Sequence, residues 1–200
     1  MSLVAPIPPS LLSNLGAEAA VARFRELLFC EARYLGLRPD AITISANLYV
    51  SDGGIDAQVE STTALPTDTF IKPGRNGFQL KTGTSFKPWQ ASSLKDELLT
   101  KTGDLASEVK RTLEAGGHYV LVCFGLDLTP EERNDSRNQL VGLFNEHGFP
   151  ETGERVEVFG QCQLASYFDR YPSLRLSILG GVDENFLLVS EWAQHAHMSN

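Results

Sequence analysis

The sequence predicts an α/β fold in which a central mixed sheet lies between layers of helices. Three observations carry that prediction. Short runs rich in β-branched and aromatic residues alternate with longer segments of helical periodicity. Residues 118–124 form a near-continuous apolar run, as expected of a strand covered on both faces. The elements follow the order helix–β–β–β–helix–β–helix–β, which packs as a layered sandwich. With 200 residues and 42% hydrophobic content, the chain can bury a full core as one domain.

Residues 1–9 form a proline-containing lead, and residues 10–35 read as helical. At 100° per residue, Phe24, Leu27, Leu28 and Leu35 make one apolar stripe, with Glu31 in its middle and Glu26 on the opposite, Arg33-bearing face. Gly36 and then Pro39 end the segment. Residues 42–50, the turn Asp52-Gly53-Gly54 and residues 55–60 read as a β-hairpin, with Asp56, Gln58 and Glu60 on one face of its second strand. The polar loop 61–76 is long enough to be mobile or to touch a substrate.

Residues 77–82 are a short strand with Gln79 and Lys81 on one face and Phe78 and Leu80 on the other. A helical region over 92–115, with a break near Gly103, ends at Gly116-Gly117. After the apolar strand 118–124, residues 130–147 read as a helix with Thr129 as its N-cap and Pro130 in its first turn. Residues 156–159 form a further core strand. Residues 161–171 form a short helix closed by Pro172, and 181–200 read as a connector beyond the domain at 1–180. There is no internal repeat and no low-complexity tract.

No stretch reaches the ~18 apolar residues of a membrane span, and no charged-then-apolar signal segment opens the chain. Cys30, Cys123 and Cys162 are odd in number, far apart and set among apolar residues, so buried reduced thiols of a cytoplasmic protein are expected rather than a zinc site or disulfide. The net charge of −8 argues against a protein that simply coats DNA. Its distribution is uneven: residues 72–111 hold eight Lys/Arg and four Asp/Glu, a local +4. That asymmetry would suit a phosphate-binding face, although such lysines also serve as ordinary solvated surface.

The residues that carry chemistry are Asp52-Gly53-Gly54-Ile55-Asp56 and Phe78-Gln79-Leu80-Lys81. Asp-Gly clusters punctuate hairpins, which accounts for Asp52, but Asp56 falls after the turn within an apolar strand. Cleaving a phosphodiester needs a carboxylate to hold a divalent cation and a cationic group to stabilise the attacking hydroxide and the developing charge. Asp56 and Lys81 have those properties.

These motifs resemble the PD-(D/E)XK nuclease superfamily, in particular its Mrr-like restriction endonucleases, in which Gly-Gly-x-Asp is followed by Gln-x-Lys, and the resemblance covers the core over about residues 15–175. The resemblance implies a restriction-endonuclease-like three-layer sandwich and a Mg2+- or Mn2+-dependent endonuclease acting on double-stranded DNA. It implies Asp56 as metal ligand, Gln79 at the middle position and Lys81 as the catalytic lysine. The metal would lie against Asp56, Gln79, the Leu80 carbonyl and Glu31. Many members carry Asp or Glu where Gln79 stands; an amide oxygen can ligate a cation without contributing charge.

The superfamily often places a glutamate on its first helix, and its usual position after an aromatic residue points to Glu26. Helix geometry points instead to Glu31, because a carboxylate centred on an apolar stripe needs a cation or a salt-bridge partner such as Arg25 or Arg175. Glu60 is a further candidate at a strand end expected to be solvated. No histidine shows a paired spacing with an acidic partner, and Gly53-Gly54 lacks the context of a nucleotide loop. Phe86 and Trp89 offer base stacking or, more simply, an anchor for their loop.

Residues 163–174 are similar to the tail of nuclease domains fused ahead of large NTPases in bacterial anti-phage defence proteins. That resemblance implies downstream NTPase and sensor regions as partners, and it leaves room for a homo-oligomer. The competing expectation is a nucleic-acid-binding or assembly module that keeps the fold without cutting. Sugar preference is not encoded in the motif, so RNA remains an alternative substrate.

Overall fold

The computed structural model describes residues 6–44, 53–61, 64–66 and 68–180. Five strands form one sheet in the order β1-β2-β3-β4-β5: β1 Ile42–Ile44, β2 Ala57–Ser61, β3 Gly74–Lys81, β4 His118–Cys123 and β5 Val156–Phe159. β1, β2 and β3 pair antiparallel, whereas β3–β4 and β4–β5 are parallel. The sheet is therefore mixed, as expected. The helices are α1 Ala17–Tyr34, α2 Ala91–Leu98, α3 Ser107–Glu114, α4 Pro130–Glu146, α5 Gln161–Asp169 and α6 Pro172–Ile178.

The period of two divides the side chains of β3 and β4 between two cores. Phe78, Val120 and Val122 face Phe24, Leu27 and Leu28 of α1 together with Leu164 and Phe168 of α5 and Leu174 of α6. Tyr119, Leu121 and Cys123 face Leu94 and Leu98 of α2, Val109 and Leu113 of α3, and Leu140 and Phe144 of α4. Because both faces of β4 are covered, its sequence has no polar alternation, and the strand matches the apolar run closely. Edge-to-face aromatic contacts tie the layers together, among them Phe24–Phe78 at 5.4 Å and Tyr119–Phe144 at 5.4 Å between ring centroids.

Several local expectations change. The first helical region is two pieces: a 3-10 helix over Pro9–Asn14 and α1, which starts after Gly16 with that residue in extended conformation. The 92–115 region does break around Gly103, as expected, into α2 and α3, and an antiparallel bridge between Leu99 and Leu105 closes the intervening turn. Pro172 does not merely stop a helix. It occupies the first turn of α6, where its missing N–H costs nothing and its fixed φ suits the helix. Thr129 caps α4 in a full capping box with Glu132, as its position suggested.

The 61–76 loop is anchored rather than loose where it is described. Phe70 and Ile71 are buried, and the Phe70 ring packs against Phe78, Phe159 and Tyr167. β1 and β2 are antiparallel neighbours, but Ile44 pairs with Ala57, so a long connection separates them. Asp52 and residues 45–50 of the expected 42–50 strand lie outside the described residues. Gly53 and Gly54 adopt positive φ and lie against α3, and the Gly53 carbonyl accepts the Glu108 and Val109 N–H groups at 3.1 and 3.4 Å. The turn thus satisfies first-turn donors of a helix that has no side-chain cap.

Candidate active site

β2 and β3 run antiparallel, so the N-terminal end of β2 meets the C-terminal end of β3, and Asp56 arrives beside Gln79 and Leu80. The Asp56 backbone N–H donates to the Phe78 carbonyl at 2.8 Å, and its Oδ2 accepts the Leu80 N–H at 2.6 Å. The carboxylate is thereby fixed against the strand that carries Gln79 and Lys81. This edge is where the parallel strands β3, β4 and β5 end, the side on which open α/β sheets place ligands.

Gln79 is 5% exposed, and its Oε1 accepts a hydrogen bond from the Tyr119 hydroxyl. Tyr119 is fully buried, and its hydroxyl pKa is raised first by burial and then by the electrostatic influence of its neighbours, the Asp56 carboxylate foremost. Such a phenol stays protonated and acts as a permanent donor to Gln79. Lys81 forms an ion pair with Glu97 of α2, and its ammonium lies 5.6 Å from the centroid of the Phe86 ring. Beneath it, burial pushes the Cys123 thiol up to about 12, against the opposing influence of Lys81. Cys123 is therefore an inert packing residue.

Glu31 stands apart from this group. It is fully buried in the α1 layer, on the opposite face of the sheet from Gln79. Its carboxylate accepts the Thr69 hydroxyl at 2.6 Å and the Tyr171 hydroxyl, and the Arg170 guanidinium lies 3.7 Å away. The helix phase read from sequence is correct, since Glu31 is buried with Phe24, Leu27 and Leu28. The partner is Arg170 rather than Arg25 or Arg175. Glu26 lies on the outer face of α1 and pairs with Arg23 at 2.7 Å. Neither first-helix glutamate is brought to Asp56.

The local excess of basic residues is largely neutralised. Lys72, Arg75, Lys81, Lys95, Lys110 and Arg111 all pair with carboxylates, which among the described residues leaves Lys87 and Lys101 without an ion-pair partner. Arg75 illustrates the reason: it lies between Glu60 and Glu108 and donates to Gln58, so the polar face of β2 is tied to α3. Phe86 and Trp89 pack against the α2–α3–α4 core, in keeping with the anchoring role. Cys162 is exposed, unlike the buried thiol expected from sequence, and donates to Asp127.

Sequence reasoning missed Glu97 and Tyr119. Glu97 lies between buried Leu94 and Leu98 in register on an amphipathic helix, so it borders the apolar face and can reach inward. That position was a usable signal. Among the described residues, no group of three His, Cys, Asp or Glu converges as a metal cage. The donors at the edge are hard oxygens, from Asp56, Glu97, the Gln79 amide and strand carbonyls. Such a set suits Mg2+, which is usually held by one or two carboxylates and keeps several waters.

Comparisons with protein-family models, curated proteins and solved structures find no match to this chain. Among the described residues, no helix is long and apolar enough to cross a membrane.

Proposed function

We propose that the Asp56–Lys81 edge is the active site of a metal-dependent endonuclease that hydrolyses phosphodiester bonds of double-stranded DNA on a restriction-endonuclease-like fold. One observation carries the reading: Asp56, Gln79 and Lys81, separated by 23 and 2 positions in sequence, converge at the C-terminal ends of the parallel strands, with the Asp56 carboxylate fixed on the Leu80 N–H.

The residues divide the work as follows. Asp56 and the Leu80 carbonyl would hold Mg2+ or Mn2+, which supplies charge stabilisation at the phosphoryl oxygens and a more acidic bound water. Lys81 places a positive charge where the attacking hydroxide and the pentavalent phosphorus gather negative charge. Gln79 is immobilised by Tyr119, so its amide nitrogen is left to donate to a phosphate oxygen. The buried Tyr119–Phe144 pair keeps the floor of the site rigid.

The ion pair of Lys81 with Glu97 favours a second reading, a nucleic-acid-binding or assembly module that keeps the fold without cutting. NTPase and sensor partners, implied by the resemblance of residues 163–174, belong to the same proposal. Incubating the purified chain with supercoiled plasmid and Mg2+ or Mn2+ separates the readings. The nuclease reading expects nicking that is lost in Asp56→Asn and Lys81→Ala while both variants stay folded. Nicking that survives in either variant at equal folded protein removes the assignment to this edge, and plasmid binding without nicking supports the module.

A further inference from the structure

Position 79 holds a neutral amide, which adds no charge at a cation, and its oxygen is already engaged by the Tyr119 hydroxyl in a nearly closed pocket. One carboxylate on the same edge is available from another element. Glu97, on α2, contacts Lys81, and its side chain is 36% exposed while that of Lys81 is 20% exposed, so solvent ions reach the pair. Buried Leu94 and Leu98 seat α2 on the sheet and hold Glu97 over the end of β3. Asp56 is held on the Leu80 N–H and Glu97 on the ammonium of the next residue, so both carboxylates border the same end of β3.

We infer that Glu97 is the second carboxylate ligand of the divalent cation, in the role that Gln79 does not fill, and that Lys81 occupies the cation's place on Glu97 until the cation binds. The inference rests on the proposed nuclease site and deepens it. A single ammonium and a hydrated divalent ion are alternative partners for one carboxylate, and the divalent ion carries twice the charge. When the cation takes Glu97, Lys81 is released from its ion pair and its ammonium becomes free to face the phosphate. Phe86, 5.6 Å from the ammonium, gives the released lysine a ring face on which to remain at the site. The arrangement makes cation binding and exposure of the lysine one event.

The test is Mn2+ binding to the full chain by calorimetry, without DNA, for the wild type, Asp56→Asn, Glu97→Gln and Lys81→Met. Glu97→Gln keeps the shape of a half-buried side chain that solvent still reaches, so it is expected to fold; circular dichroism melts check this. The expected result is a loss of Mn2+ affinity of about tenfold or more in Glu97→Gln, a scale that even outer-shell changes reach. Lys81→Met is expected to bind Mn2+ more tightly than the wild type, and that gain should vanish in the Glu97→Gln background. If Asp56→Asn loses Mn2+ while Glu97→Gln binds like the wild type, the inference is overturned and the nuclease site stands. If the wild type binds no Mn2+, or Asp56→Asn binds it equally well, the nuclease site itself fails.

Discussion

Replacing Glu31 with Gln isolates the buried cluster that joins α1 to the start of α6. The carboxylate is fully buried, accepts hydroxyl hydrogens from Thr69 and Tyr171, and lies 3.7 Å from the Arg170 guanidinium. Hydrogen bonds to a charged group contribute about 1.5–3 kcal/mol each, and removing one partner of a buried ion pair costs about 3–5 kcal/mol. Arg170 is 38% exposed, so its share is weakened by solvent. The isosteric amide keeps one acceptor oxygen for the two hydroxyls but turns an NH2 group toward existing donors. A loss of about 2–3 kcal/mol is therefore expected for Glu31→Gln.

For a chain of this size that loss lowers Tm by roughly 4–12 °C. Urea unfolding of Glu31→Gln, Tyr171→Phe and the double variant measures it directly, with a coupling energy of at least about 1 kcal/mol expected between the two positions. Mn2+ affinity should be unchanged in both single variants. Additive losses with no coupling, or a stable Glu31→Gln that has lost Mn2+, would refute the structural reading and return Glu31 to the site.

Two further outcomes follow from other parts of the fold. A Cβ at Gly125 would lie 2.5 Å from the Gly83 carbonyl oxygen and 2.6 Å from that of Thr82, backbone against backbone. Gly125→Ala should therefore cost about 2 kcal/mol or more, read as a lower thermal midpoint, and an unchanged midpoint would contradict the close approach. The two ring nitrogens of His147 face the Leu143 and Gly103 carbonyls at 2.8 and 3.0 Å, and these contacts raise its pKa in the folded chain. Because the folded value is raised, the stabilisation is full below the unfolded pKa of about 6.5 and is lost as pH rises through the folded value. The gap in urea midpoint between wild type and His147→Gln should be widest near about pH 5 and close on the alkaline side; a gap that widens there would reverse the sign.

Where one signal dominated locally, the sequence was easy to read. β4 has no polar alternation because both its faces are covered, and Thr129-Pro130 combines a side-chain cap with the residue best suited to a first turn. The convergence of Asp56 with Gln79 and Lys81 followed from strand pairing and the period of two. What escaped depended on contacts distant in sequence. Lys81 and Glu97 meet across 16 positions, and Glu31 and Tyr171 across 140, so no local pattern links them. The 61–76 loop looked loose because its polar composition outweighs Phe70 and Ile71, yet those two residues pin it into the core. The basic stretch looked like a phosphate-binding face because the acids that neutralise it, such as Glu146 and Glu157, come from elsewhere in the chain.

The most direct measurement is a crystal structure of the chain soaked in Mn2+, with anomalous scattering recorded to locate the ion. The account predicts one peak in direct contact with the Asp56 carboxylate and the Leu80 carbonyl, with Glu97 turned from Lys81 toward the ion. A peak elsewhere, or an Asp56 edge that stays free of Mn2+ at saturating concentration while the Lys81–Glu97 pair persists, would contradict it.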